Sequence, residues 1–336
     1  MDATDNFNNP IVQSLAGLHQ FEIIAACILY SLGFIGNFFA LIVFSSLSDF
    51  RKISTGVLFL LMTVSNFFHL WTLATESTGA LGYQLYPHVV FQCRLNPFVK
   101  NVSRAMSTSC SICIALDRLL RSETKMPMRS KVICTRRNVC KLAILLLIIF
   151  CLFWSFYLFP LSTQDRLTRS CYYNQSEIYY FFLVKVNVPM RAVLFCAIPV
   201  ITMIAANGRM LYNIRQSHLR ITHVQTRNTV SQMTRRVSNA SRSAVDQMLL
   251  YLMIANVGVF IITQVPFHFY AVMHVYFESL NDYIHLMIYA TLLLWSSIYF
   301  GVAFYLYCLT SPLFRKKFIE ILKKILHYTN IGRQAD

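Results

Sequence analysis

Long apolar windows alternate with short polar connections along this chain. Five windows hold no Asp, Glu, Lys or Arg for longer than the roughly 20 residues that a bilayer-spanning helix requires. They run from Ile23 to Ser45, Ile53 to Thr75, Leu142 to Gln164, Gln247 to Phe277 and Tyr283 to Phe314. Two further apolar stretches, about 91–120 and 178–208, carry the internal cations Lys100, Arg104, Lys185 and Arg191. The pattern predicts an all-α membrane protein: a seven-helix bundle over 21–310, with spans at about 21–45, 53–76, 91–120, 141–161, 178–210, 245–277 and 282–310. A polar tail, 1–20, precedes the bundle. After it, Ser311-Pro312 reads as a helix start, and over 311–327 Phe314, Phe318, Ile321 and Leu322 lie on one side with Arg315, Lys316 and Lys317 elsewhere. That is an amphipathic helix suited to an anionic membrane surface, followed by a short tail at 328–336.

Composition narrows the class. Of the 336 residues, 56% are hydrophobic and 13% charged, too apolar a balance for a soluble domain. The net charge of +16 is a topology signal, because the cations flank the spans and form no basic stripe with interleaved aromatics; no nucleic-acid partner is expected. With the N-terminus outside, most of the 30 Lys and Arg fall on the cytoplasmic side and only Arg94, Arg166 and Arg169 outside. The first twenty residues contain Asp2 and Asp5 and no basic residue, so the first span is expected to act as its own signal. The expected location is the plasma membrane, multi-pass, with an extracellular N-terminus.

Most of the ten cysteines lie in apolar spans, where a thiol is a small hydrophobe, and Cys134 and Cys140 lie on the reducing side. Cys93 and Cys171 are the pair left facing the oxidising exterior, enough for one bridge. The outer loop with Cys171 also holds Asn174-Gln175-Ser176, a glycosylation sequon. The polar segment 209–244 holds Arg235-Arg236-Val237-Ser238, a pattern that makes Ser238 a phosphorylation candidate beside the alternative of an ordinary solvated helix extension.

The stretch from Cys93 to Arg118 organises the rest. As one helix it covers ~37 Å, with a thiol at one membrane face and Asp117-Arg118 at the other. Lys100 and Arg104, one turn apart, share a helix face inside the membrane, where a cation costs ~2.5 to 3.5 kcal/mol on insertion scales and needs a partner or a cavity. One reading is a wet pocket for an anionic or carbonyl-rich ligand, further lined by Glu76, Arg191, Phe267, His268 and Tyr270. The other is an internal network, such as Glu76 pairing with Lys100, without ligand contact.

Over about 21–326 the arrangement resembles the rhodopsin-like G-protein-coupled receptors. The residues that carry the resemblance are Gly36-Asn37 in span one, Cys93 at the family's spacing from Arg118, Asp117-Arg118-Leu119 in place of Asp-Arg-Tyr, and Trp154, Pro199 and Pro266 as landmarks of spans four to six. Tyr307, seven residues before Phe314, looks like the end of helix seven running into an eighth helix. The departures are Asn66 for a sodium-binding aspartate, Gln264 for the helix-six tryptophan, Ala303-Phe304 for Asn-Pro, and Asn207 where tyrosine is common. An amide at 66 supplies no charge to offset a dehydrated sodium ion.

The resemblance implies a receptor that binds an extracellular ligand and activates a heterotrimeric G protein, with no cofactor, no metal and no enzymatic activity. Arg118 would be held by Asp117 or by Asp246, which lies twenty residues before Pro266 and matches the family's acidic lock partner. Span six would then pivot at Pro266, a residue that removes a backbone donor inside the helix. Lys100 stands where amine receptors carry an aspartate, which argues against a cationic amine at that position and favours peptides. A non-signalling binding receptor and a secondary transporter are the alternatives; the latter calls for internal pseudo-symmetry and more spans than seven, and neither is seen.

Overall fold

The computed structural model describes residues 10–46, 54–80, 89–122, 135–160, 163–164, 171–172, 176–225, 233–277, 282–310, 312 and 314–323. Among them, seven long helical runs form the bundle. They are α1 (Pro10–Ser46), α2 (Ser54–Ala80), α3 (Asn96–Ser122), α4 (Arg136–Phe153), α5 (a composite run over 177–225), α6 (Met233–Tyr276) and α7 (Asp282–Thr310). A short α8 follows over 314–323. Two-residue strands, Thr163–Gln164 and Cys171–Tyr172, pair antiparallel with Gln164 opposite Cys171. Cys171 is disulfide-bonded to Cys93, the two Cα atoms 5.5 Å apart, so the strand pair is stapled to the head of α3.

Proline dictates where the helices loosen. Each proline inside a helix leaves the carbonyl four residues earlier without its usual donor. Pro97, Pro189 and Pro199 release the carbonyls of Cys93, Lys185 and Phe195 in this way, and all three lie in widened π-type turns: Val90–Leu95, Phe182–Val186 and Val193–Ala197. Pro266 differs, since α6 runs through it as one continuous helix. The carbonyl it releases, Ile262, accepts the indole N–H of Trp295 on α7 at 2.9 Å. A tertiary donor replaces the missing backbone donor.

Close packing and buried polar contacts hold the helices to one another, because in lipid no hydrophobic force separates a helix from acyl chains. Gly33 of α1 and Gly301 of α7 touch backbone to backbone: a Cβ built on Gly301 would lie 3.2 Å from the Gly33 Cα. The Asn37 side-chain amide then donates to the carbonyls of Gly33 and Phe300, each at 2.9 Å, locking the same two helices together. The core has a central cluster around Leu70, Leu73, Met203, Phe260 and Phe300. A second cluster, toward the end opposite the disulfide, gathers Phe44, Leu58, Met62, Tyr307 and Phe314. A third joins Trp154 and Tyr157 to Phe195. Large apolar side chains face outward on α4 and α5, among them Ile144, Leu152 and Ile201, as a lipid-facing surface requires.

α8 lays Phe314 against Phe44 and Tyr307 and Phe318 against Phe39 and Phe304, while Arg315 and Lys316 are exposed. That is the amphipathic arrangement its sequence predicts. α4 begins at Arg136, ahead of its apolar window, because Thr135 caps it by accepting the Asn138 N–H.

Candidate functional site

Toward the disulfide end, α3 carries Lys100 and Arg104 one turn apart, and their surroundings differ. Lys100 donates to the Glu76 carboxylate of α2 at 2.5 Å, both side chains retaining some solvent exposure. Its charge is therefore neutralised within the protein, which is the internal network considered above as the alternative to ligand contact.

Arg104 is buried at 5% exposure, and among the described residues no carboxylate pairs with it. Its guanidinium stacks over the rings of Phe267 (5.1 Å) and Phe300 (5.7 Å) and donates one hydrogen bond to the Ser296 hydroxyl at 3.2 Å. Nε has no partner. Cation–π contact contributes ~0.5 to 2 kcal/mol, less than full pairing of a buried charge would supply.

Two buried histidines flank this cation. His69 packs on Phe300, ring centroids 4.1 Å apart, and its Nδ1 lies 3.1 Å from the Lys100 carbonyl. A carbonyl only accepts, so Nδ1 carries the hydrogen, and Nε2 has no partner. His268 packs on Phe267, and its Nε2 is likewise unpartnered. Arg191 of α5 lies within electrostatic reach of Arg104 and of both histidines. The floor is tied across α6 and α7 by Gln264, whose amide donates to the Ser296 carbonyl at 2.7 Å. The structure thus gathers Arg104, Arg191, Phe267 and His268, with Lys100 and Glu76 as a neighbouring pair. Tyr270 sits apart from them: its hydroxyl meets His285 Nδ1 at 3.0 Å in a ring cluster with His274. Lys185 donates to the Val275 carbonyl in the last turn of α6 at 2.6 Å.

At the opposite end, Asp117 is buried and its carboxylate is taken up by the start of α2 and by its own helix. Ser54 donates to Oδ1 at 2.9 Å, Thr55 to Oδ2 at 2.5 Å, and Arg121 one turn on to Oδ2 at 3.0 Å. Arg121 also donates to the Ser54 hydroxyl at 2.7 Å. These contacts to Arg121 and two hydroxyls fasten α3 to α2. Asp246 and Ser238 lie on α6 where side chains are outside the described residues, and Asn174 lies outside them altogether.

Between these zones, polar residues cross the bundle core. Asn66 accepts from the Ser107 hydroxyl at 2.5 Å, and Ser111 shares a 2.6 Å hydrogen bond with Tyr299. Below them a cavity of about 20 Å³ is lined by Ser111, Asn207, Asn256 and Tyr307. The Tyr307 hydroxyl and both amide atoms of Asn207 have no partner there, while the Tyr307 ring packs on Phe44, Phe59 and Phe314.

The sequence marks His69 of span two as a packed or pocket histidine, but gives no sign of Ser296 and Phe300 as members of the Arg104 environment. Each looks like an ordinary residue of an apolar span, and only the helix crossing brings them to one place. Glu22 was also missed, although it is a carboxylate immediately ahead of the first apolar window, a signal visible in the sequence.

The chain matches the family model described as 7 transmembrane receptor (rhodopsin family) over residues 36–299, from the Gly36-Asn37 pair to Tyr299. No curated protein matches it. The chain belongs to the rhodopsin family of seven-transmembrane receptors, whose members are signalling receptors, not enzymes. It is a multi-pass membrane protein, and five of its described helices are long and apolar enough to cross a bilayer.

Proposed function

We propose that this receptor binds an extracellular ligand through an anionic or carbonyl-rich group at Arg104 and answers by activating a heterotrimeric G protein. The observation that carries the reading is the state of Arg104: buried, in contact with two aromatic rings, with an open Nε donor and no carboxylate paired with it among the described residues. A desolvated cation in that state gains strongly from an incoming anion. Arg191 adds to the positive potential, and Phe267 and His268 present a ring and an open nitrogen beside it. The Lys100–Glu76 pair sits beside this group and can reorganise when an anion competes for Lys100. A peptide is the favoured ligand, since its carbonyls and free carboxylate satisfy these groups together. Tyr270, with His274 and His285, then forms part of the pocket's wall nearer the outside. Within the plasma membrane the N-terminus and the Cys93–Cys171 staple face outward, in keeping with the distribution of basic residues.

Transmission to the G protein would run through α6. In this reading the inner end of α6 is held to α3 by Arg118 and Asp246, and ligand binding pivots α6 at Pro266 and opens a cleft bounded by Tyr307 and α8. Asn174 carries glycan and Ser238 accepts phosphate as peripheral modifications. A ligand screen read out by G-protein dissociation tests the whole, with Arg104→Ala expected to abolish ligand binding and Arg118→Ala to abolish signalling with binding retained. A ligand response that survives in both variants overturns the assignment.

A further inference from the structure

A second cavity, of about 260 Å³, lies between α1, α2 and α7 toward the disulfide end. The backbone contact of Gly33 with Gly301 pins α1 to α7 one turn below Tyr30, and between these helices and α2 the cavity is lined by Tyr30 and, farther toward the disulfide end, by Glu22 and Met287. Its walls are mostly apolar, with Ile23, Leu73, Met287 and Leu294 among them. For scale, an apolar protein cavity of about 150 Å³ takes up benzene.

Two carboxylates line this space. Glu76 already has its countercharge in Lys100. Glu22 has none among the described residues: it is 9% exposed and accepts a hydrogen bond from the Thr291 hydroxyl. An ionised carboxylate with one neutral donor is poorly compensated in such surroundings. The chemistry that completes it is a cation carrying an apolar body, so that the charge meets Glu22 while carbon fills the space against Leu73 and Leu294.

We propose that the α1–α2–α7 cavity is a binding site for an organic ammonium group, with Glu22 as its charge partner. Glu76 lines this cavity and pairs with Lys100, and Arg104 is not among the lining residues, so Glu76 screens an ammonium there from the Lys100 cation. The same chemistry has two sources, the amino end or a basic side chain of the receptor's own ligand, or a separate small amine. A lipid acyl chain is the competing occupant, and it has no use for Glu22.

The test uses the full-length receptor in nanodiscs of zwitterionic lipid, with benzylammonium and hexylammonium as probes and benzyl alcohol and hexanol as neutral counterparts. Binding is followed by the concentration dependence of thermal unfolding. The ammonium probes are expected to stabilise the receptor more than the alcohols, and Glu22→Gln to weaken them about tenfold or more, the loss of one charge-assisted contact. Ala290→Phe, which fills the cavity from α7, should abolish the effect without touching either carboxylate. Arg104→Ala should leave probe binding intact, so failure of the anion-site reading and failure of this one are separable. If Glu22→Gln also lowers the potency of an agonist, the site takes the amino end of that ligand; unchanged potency assigns it to a separate amine. Equal stabilisation by amines and alcohols, or amine binding indifferent to both Glu22→Gln and Ala290→Phe, overturns the proposal.

Discussion

Trp295 of α7 donates its indole N–H to the Ile262 carbonyl of α6 at 2.9 Å, the acceptor that Pro266 sets free. Beside it Gln264 donates to the Ser296 carbonyl, so two side-chain-to-backbone bonds stitch α6 to α7 around the proline. The same Ser296 presents its hydroxyl to Arg104. In the proposed mechanism a ligand that moves Arg104 would pull on the residue that borders the seam, a physical connection between the proposed pocket and the proposed pivot at Pro266.

Trp295→Phe removes the donor while keeping an aromatic ring. The Ile262 carbonyl is then left in a low-dielectric environment without a partner, and an interhelical hydrogen bond of this kind contributes ~0.6 to 1.7 kcal/mol. Thermal unfolding should fall accordingly and basal G-protein activation should rise, as the seam is weakened. Unchanged unfolding together with unchanged basal activity would contradict the stitching role.

Arg104→Met should separate stability from function. Removing a cation from the membrane interior recovers ~2.5 to 3.5 kcal/mol on insertion scales, against the loss of ~0.5 to 2 kcal/mol of cation–π contact. The variant is expected to be more stable than wild type by ~0.5 to 3 kcal/mol in the unliganded state, yet unresponsive to ligand. A variant that is less stable and still responsive would show that Arg104 serves the core alone.

Asp117 and Arg121 should differ in cost although they share a contact. Asp117→Ala strands the Ser54 and Thr55 hydroxyls and releases α3 from α2, a loss of ~1 to 3 kcal/mol. Arg121 is 40% exposed, so its contact is solvent-screened and Arg121→Ala should cost ~0 to 1 kcal/mol. Thermal unfolding of the two variants checks the order, and a larger loss for Arg121 would reverse the account.

Asp246→Ala tests the latch on Arg118. Basal signalling should increase while ligand affinity stays the same or rises, because the open state is favoured. Basal and stimulated responses equal to wild type would remove Asp246 from the switch.

Much of this was readable in the chain itself, for identifiable reasons. Span number, the pairing of Cys93 with Cys171, the amphipathic α8 and the Gly36-Asn37 landmark follow from hydropathy, compartment and local periodicity, which are properties of a few neighbouring residues. The start of α4 was also written in the sequence, in Thr135 ahead of Asn138, but hydropathy is blind to a cap and places the helix at its apolar window instead.

Interactions between distant segments were another matter. Sequence marked Lys100 and Arg104 alike as cations out of place, and folding divided them: Glu76 reaches Lys100, while Phe267, Phe300 and Ser296 arrive around Arg104 from α6 and α7. Asp117 stood next to Arg118 in the chain, yet helical geometry set Arg121 and the head of α2 on its carboxylate. Pro266 announced a freed carbonyl but not that Trp295 would take it. The sequence by itself determined which residues must span the membrane and which carry charge they cannot easily solvate. The tertiary structure decided which charges are answered and which are left open, because a partner's identity depends on helix crossings such as Gly33 on Gly301 that juxtapose residues hundreds of positions apart.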